Sequence, residues 1–83
     1  MKNLIHKADY DTMLAAQNGL CAICQRPPTS GRGKKLHVDH DHGTGCIRGL
    51  LCHDCNTGLG KFLDSPSLLQ DAISYLQHQE IEP

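Results

Sequence analysis

Two cysteine pairs, Cys21-x-x-Cys24 and Cys52-x-x-Cys55, bracket 27 residues in the middle of an 83-residue chain, and no other feature restricts the possible folds as much. Each pair presents two thiolates to one ion. Together they complete a tetrahedral four-sulfur shell of the kind that holds structural zinc, the alternative being buried free thiols or disulfides. The gap between the pairs exceeds that of a zinc ribbon, so the metal closes a long insertion. A closed shell leaves no position for water, which assigns this zinc to folding and argues against a zinc hydrolase. The fifth cysteine, Cys46, reads as a half-buried strand thiol.

A chain this short buries little apolar surface. With Tyr10, Tyr75 and Phe62 as its only aromatic residues and no Trp, the largest contributors to core burial are scarce. A metal staple is therefore expected of a single domain spanning residues 1–83. An odd cysteine count, no apolar signal segment and no stretch near the roughly 18 apolar residues of a membrane span point to a cytosolic protein with no membrane partner, whose cysteines bind metal.

The net charge of −1 argues at first against nucleic acid, since phosphate binding is driven by basic surface. The average conceals a division. From Cys21 to Phe62, six basic residues (Arg26, Arg32, Lys34, Lys35, Arg48, Lys61) face three acids (Asp39, Asp41, Asp54). The flanks are acidic. Four zinc-bound thiolates take the middle down by two charges, and a second divalent ion restores them.

Residues 9–18 place Tyr10, Met13, Leu14 and Gln17 at helical spacing, with Asp9 as N-cap and Gly19 past the end. Residues 25–35 read as an exposed basic loop. Two strand-like runs, residues 36–39 and 46–51, are separated by turn-forming residues 41–45 and predict a β-hairpin. A helix follows from His53 to Leu63, weakened by Gly58 and Gly60. Ser65-Pro66 caps a last helix whose Leu68, Leu69, Ala72, Ile73 and Leu76 form one apolar stripe.

Inside the cysteine-bounded segment lies Leu36-His37-Val38-Asp39-His40-Asp41-His42, and Asn56 directly follows Cys55. With Thr44-Gly45, Ile47-Arg48-Gly49-Leu50-Leu51-Cys52 and Leu59-Gly60, these residues resemble, in order and over nearly the whole chain, the recombination endonuclease VII branch of the HNH nucleases, a phage-associated family. The resemblance implies an α+β fold: a small zinc-stabilised ββα-metal (His-Me finger) domain with flanking helices. It further implies a phage-encoded DNA endonuclease acting in the cytoplasm of a bacterial host, with Asp39 and Asn56 as ligands of Mg2+ or Mn2+. His40 would be the general base, and His42 would lie near the scissile phosphate or the leaving oxygen.

The residue chemistry agrees. A carboxylate and an amide oxygen suit a hard cation and leave positions open for a phosphate oxygen, and a neutral imidazole accepts a proton near neutral pH. Two features complicate the picture. Strict strand alternation sends Asp39 and His40 to opposite faces unless the strand ends or bulges there. Leu59 stands where the family pattern has an acid, which leaves a leaner metal site. Lys34, Lys35, Arg48 and Lys61 are candidate phosphate contacts. His6, His37, His53 and His78 carry no motif of their own and read as solvated or packing residues, although His53 is a further possible phosphate contact.

The rival class is a non-catalytic zinc module that binds nucleic acid or protein, which has no need of Asp39-His40 and Asn56. Nicking, double-strand cleavage and cutting of branched DNA are all compatible with these residues. So are a monomer, a dimeric resolvase and a partner of phage packaging or recombination machinery.

Overall fold

A computed structural model describes residues 6–29 and 34–78. The elements run α1 (Lys7–Ala16), β1 (His37–His40), β2 (Ile47–Leu51), α2 (His53–Lys61) and α3 (Pro66–Gln77). The two strands pair antiparallel, and α2 packs across both while α1 packs against β2. This is the small α+β hairpin-and-helix arrangement that the sequence predicts.

α1 begins at Lys7 with His6 as an N-cap that makes no side-chain bond. Asp9 therefore sits inside the first turn, where the helix dipole favours an acid. The earlier start builds a full turn ahead of Tyr10, whose hydroxyl donates to the Leu36 carbonyl at 2.6 Å. At the other end Asn18 (φ 55°) and Gly19 (φ 72°) enter the left-handed region. Their N–H groups reach Ala15 O and Leu14 O, at 3.0 and 2.8 Å, a Schellman closure. Gln17 then ties the helix to the hairpin. Its amide accepts from Leu50 N and donates to Leu50 O, both at 3.0 Å, so it satisfies the outward-facing backbone of β2 as a third strand would.

The predicted turn closes through Asp41. Its carboxylate accepts from the N–H groups of Gly43 (2.7 Å) and Thr44 (3.0 Å), an Asx turn, and Gly45 completes the reversal at φ 80°. Bonds from Thr44 and then Gly43 hold the Asp41 carboxyl below its ordinary value. Cys46 lies in this connection, ahead of β2, and is exposed. The expectation of a half-buried strand thiol is corrected: its N–H donates to Thr44 Oγ1 and its carbonyl accepts from Asp41 N, so the turn claims its backbone.

The core is minute. Cys21, Leu36, Leu50, Leu51 and Cys52 are the buried apolar side chains among the described residues, with Tyr10, Met13, Leu14, Val38, Cys24, Cys55 and Leu59 packed around them. α2 ends two residues before the predicted limit, at Lys61. Leu63 (φ 57°) and Asp64 (φ 54°) adopt left-handed backbone and donate to Gly60 O and Leu59 O at 2.9 and 2.8 Å. A non-glycine residue in that region costs on the order of 1 kcal/mol, so two in succession are a strained helix end. α3 starts as predicted, Ser65 Oγ accepting from Leu68 N at 3.1 Å. Its apolar stripe remains exposed at Leu68, Ile73 and Leu76.

Candidate active site

The four cysteines converge as their spacing demands. Their sulfurs lie within 4.8 Å of one another, and Cys24 Sγ and Cys52 Sγ are 3.8 Å apart. A Zn–S bond of about 2.3 Å makes the edge of a tetrahedral shell roughly 3.8 Å, so the donor set fits a structural metal such as zinc. Backbone N–H groups of Ile23 and Cys55 point at Cys21 Sγ and Cys52 Sγ, each at 3.4 Å. Such bonds favour thiolate. Burial acts upward on Cys21, yet hydrogen bonds from its neighbours outweigh it and bring the thiol down to about 6. The Arg26 guanidinium lowers Cys24 by a hydrogen bond to its sulfur. Burial, then the neighbouring sulfurs, push Cys55 up to about 12. Four thiolates so close do not ionise together without a cation, and a bound divalent ion supplies that charge.

Beside this staple, the hairpin carries the second constellation. Cα partners run His37 to Leu51, Val38 to Leu50 and Asp39 to Gly49, and then His40 to Ile47. The ladder breaks between Asp39 and His40, with Arg48 as the additional residue on β2. The irregularity falls between the two residues in question, but the extra residue belongs to the partner strand, so the alternation along β1 itself is unbroken as far as His40. His40 is also the last residue of β1. Its ring lies 5.5 Å from that of His42 in the turn, centroid to centroid, with the planes inclined at 53°.

Asp39 is mostly buried, its side chain 13% exposed, and both its oxygens accept from Arg48: Nε to Oδ2 at 2.8 Å and Nη2 to Oδ1 at 3.1 Å. Arg48 Nη2 also reaches Asp64 Oδ2 at 3.2 Å. Nothing in the sequence signals Asp64, since 16 residues separate it from Arg48. Arg26, two positions after Cys24, is a second residue that sequence reasoning left among the basic background.

α2 faces this row. The ring of His37 lies 5.9 Å from that of His53, the first residue of α2. Two residues along β1, Asp39 lines a cavity of about 240 Å³ shared with Leu59, together with Ile23 and Arg48. Asn56, half-buried, lies one helical turn after His53 and one before Leu59, between the two places where α2 meets β1. Leu59 packs against the core, so the position that lacks an acid serves burial. His37 Nε2 is buried and has no hydrogen-bond partner among the described residues.

The candidate phosphate contacts are dispersed. Lys34 and Lys35 are exposed just before β1, and Lys35 Nζ stands 5.8 Å from the centre of the Tyr10 ring. Lys61 is exposed at the end of α2, while Arg48 is already engaged by two carboxylates. Among the described residues, no helix is long and apolar enough to cross a membrane.

Known proteins share this pattern. The family described as recombination endonuclease VII matches residues 1–78. A gene 59 protein of Mycobacterium phage D29 is 49% identical over 70 residues, which covers 83% of this chain and 41% of that protein. Its namesake in Mycobacterium phage L5 is 46% identical over 69 residues, covering 82% and 41%. The chain thus spans about two-fifths of the length of these relatives. Among solved structures, the β-β-α-Me type II restriction endonuclease Hpy99I aligns at a TM-score of 0.61 with 34% identity, over 87% of this chain and 41% of that one.

Proposed function

The chain belongs to the recombination endonuclease VII family, and from this premise we propose that it is a divalent-metal-dependent DNA endonuclease, one nuclease domain across residues 1–83, in which His40 is the general base. The observation that carries the reading is local. Asp39 and His40 end β1 at the break in its ladder, and Asn56 sits on the helix packed across the same hairpin.

The donor chemistry fits a hard cation. Asp39 offers a carboxylate and Asn56 an amide oxygen, while Leu59 adds none, so Mg2+ or Mn2+ held here keeps several open positions. When bound, that ion supplies Lewis-acid polarisation of a phosphate oxygen. The chain's own groups do the rest. Neutral His40 takes a proton from the attacking water at its free ring nitrogen, and His42, beside it, stands near the departing oxygen. The 3′ oxygen leaves, giving 5′-phosphate and 3′-hydroxyl ends. Lys34, Lys35 and Lys61 hold flanking phosphates without reading bases, which makes the protein selective for DNA shape at most. Zinc on Cys21, Cys24, Cys52 and Cys55 stays outside the chemistry and keeps the hairpin and α2 in register. That the relatives belong to Mycobacterium phages supports a place of action inside a bacterial host.

Incubation of the zinc-loaded protein with supercoiled plasmid tests the proposal. Nicked or linear product is expected with Mg2+ or Mn2+ and not without. His40→Ala should cleave roughly 10²–10⁴-fold more slowly, the range for losing a general base, with zinc content and DNA binding retained. If the parent leaves DNA intact with every divalent ion, or His40→Ala cleaves at the parent rate, a non-catalytic zinc module becomes the better account.

A further inference from the structure

We propose that Arg48 is a positioning residue that exchanges its partner on cation binding: it neutralises Asp39 when Asp39 holds no cation and passes to a DNA phosphate as a divalent cation takes Asp39, with Asp64 as its fixed anchor throughout. The inference rests on the reading of Asp39 as a cation ligand, and adds to it a coupling between ion and DNA.

Three observations lead there. Arg48 is the additional residue of the β-bulge, and a bulge re-aims the side chain it carries. Here it directs the guanidinium onto both oxygens of Asp39, at 2.8 and 3.1 Å. A cation that needs those oxygens must therefore displace Arg48. Asp64, meanwhile, is held by the α2 end. It lies in left-handed backbone, follows another such residue, and donates its N–H to Leu59 O at 2.8 Å. Strained non-glycine backbone of this kind persists where surrounding structure over-determines it. Its carboxylate keeps Arg48 Nη2 at 3.2 Å, so a guanidinium freed from Asp39 stays beside the cavity that Asp39 and Leu59 line.

The charge count then decides what the freed group does. One guanidinium between two carboxylates leaves this cluster at −1, and a divalent ion turns it to +1. A phosphate diester restores neutrality, and its paired oxygens match the fork that Arg48 had offered to Asp39. DNA therefore eases cation binding, and by linkage the cation tightens DNA by the same factor. Arg48 is 39% exposed, against 13% for Asp39, so it is the partner able to reach outward.

The test uses the zinc-loaded His40→Ala protein, so that cleavage is slow on the timescale of the measurement, with zinc content and circular dichroism confirming the fold of every variant. Calorimetry measures Mn2+ binding without DNA. Fluorescence anisotropy of a labelled duplex, at constant ionic strength, measures DNA affinity with and without Mn2+. Arg48→Ala should bind Mn2+ several-fold more tightly without DNA, and the factor by which Mn2+ tightens DNA should shrink at least about threefold, within the usual span of couplings. Asp64→Asn should shift Mn2+ affinity the opposite way, several-fold weaker, because Asp39 becomes the guanidinium's sole partner. Such mirrored shifts do not arise from a merely structural role. If both variants bind Mn2+ as the parent does and the coupling is unchanged, the exchange is overturned. An Asp39→Ala protein that still binds Mn2+ like the parent overturns instead the assignment of Asp39 as a ligand.

Discussion

If the four cysteines hold a metal as proposed, its removal should unfold this protein outright, and the size of the effect follows from how little else holds it. The buried core among the described residues is three leucines and two of the cysteines themselves. A domain of this length has a total stability of roughly 4–12 kcal/mol at ordinary values per residue. Joining Cys24 to Cys52 closes a loop of 27 intervening residues. Treated as a cross-link, that closure is worth about 3.5 kcal/mol in chain entropy. Loss of the ion also returns thiolates held within 4.8 Å to mutual repulsion or protonation. Together these consume most or all of the stability. A strong chelator, or Cys55→Ser, should therefore abolish amide dispersion in NMR spectra and the cooperative thermal transition. Cys46→Ser, at an exposed thiol outside the cluster, should leave both in place. A chelated protein that kept its dispersed spectrum and a cooperative melt would refute the reasoning, since the hydrophobic core would then suffice.

Tyr10→Phe removes the 2.6 Å bond to the Leu36 carbonyl and should lower stability by about 0.5–1.5 kcal/mol, with more lost if that carbonyl stays dry; denaturant unfolding of the zinc-loaded protein measures it. The turn at Asp41 should be acid-sensitive. Bonds from Thr44 and Gly43 lower its folded pKa, so its contribution is complete above the unfolded value of about 3.9. It is lost as pH falls through the lowered folded value, and the amide shifts of Gly43 and Thr44 should follow that loss in the parent but not in Asp41→Asn. Asn56→Ala should raise the Mg2+ or Mn2+ concentration needed for half-maximal cleavage while leaving zinc content unchanged, because the site has few oxygen donors; a variant with the parent's metal requirement would remove Asn56 from the ligand set.

Much of the architecture was legible where the signal is local. The Cys-x-x-Cys spacings, the Asp41–Gly45 turn residues and Ser65-Pro66 each act over a few positions, and the converged thiols, the hairpin and the α3 cap follow them. Asp9 misled because acids suit both the cap and the first turn. Cys46 misled because alternation along a short strand says nothing of where pairing stops.

The sequence alone therefore determined the element order, the four cysteines that converge and the residues to suspect of chemistry, since these depend on spacing along the chain. Tertiary structure decided which groups meet. One additional residue on β2 turns Arg48 onto Asp39, and a strained end to α2 brings in Asp64 from 16 positions away. It also set His37 against His53 and gave Leu59 to the core. The physical reason is that a strand's faces alternate residue by residue. A shift of one position reassigns every side chain beyond it, and only the completed packing of α2 on the hairpin selects the register.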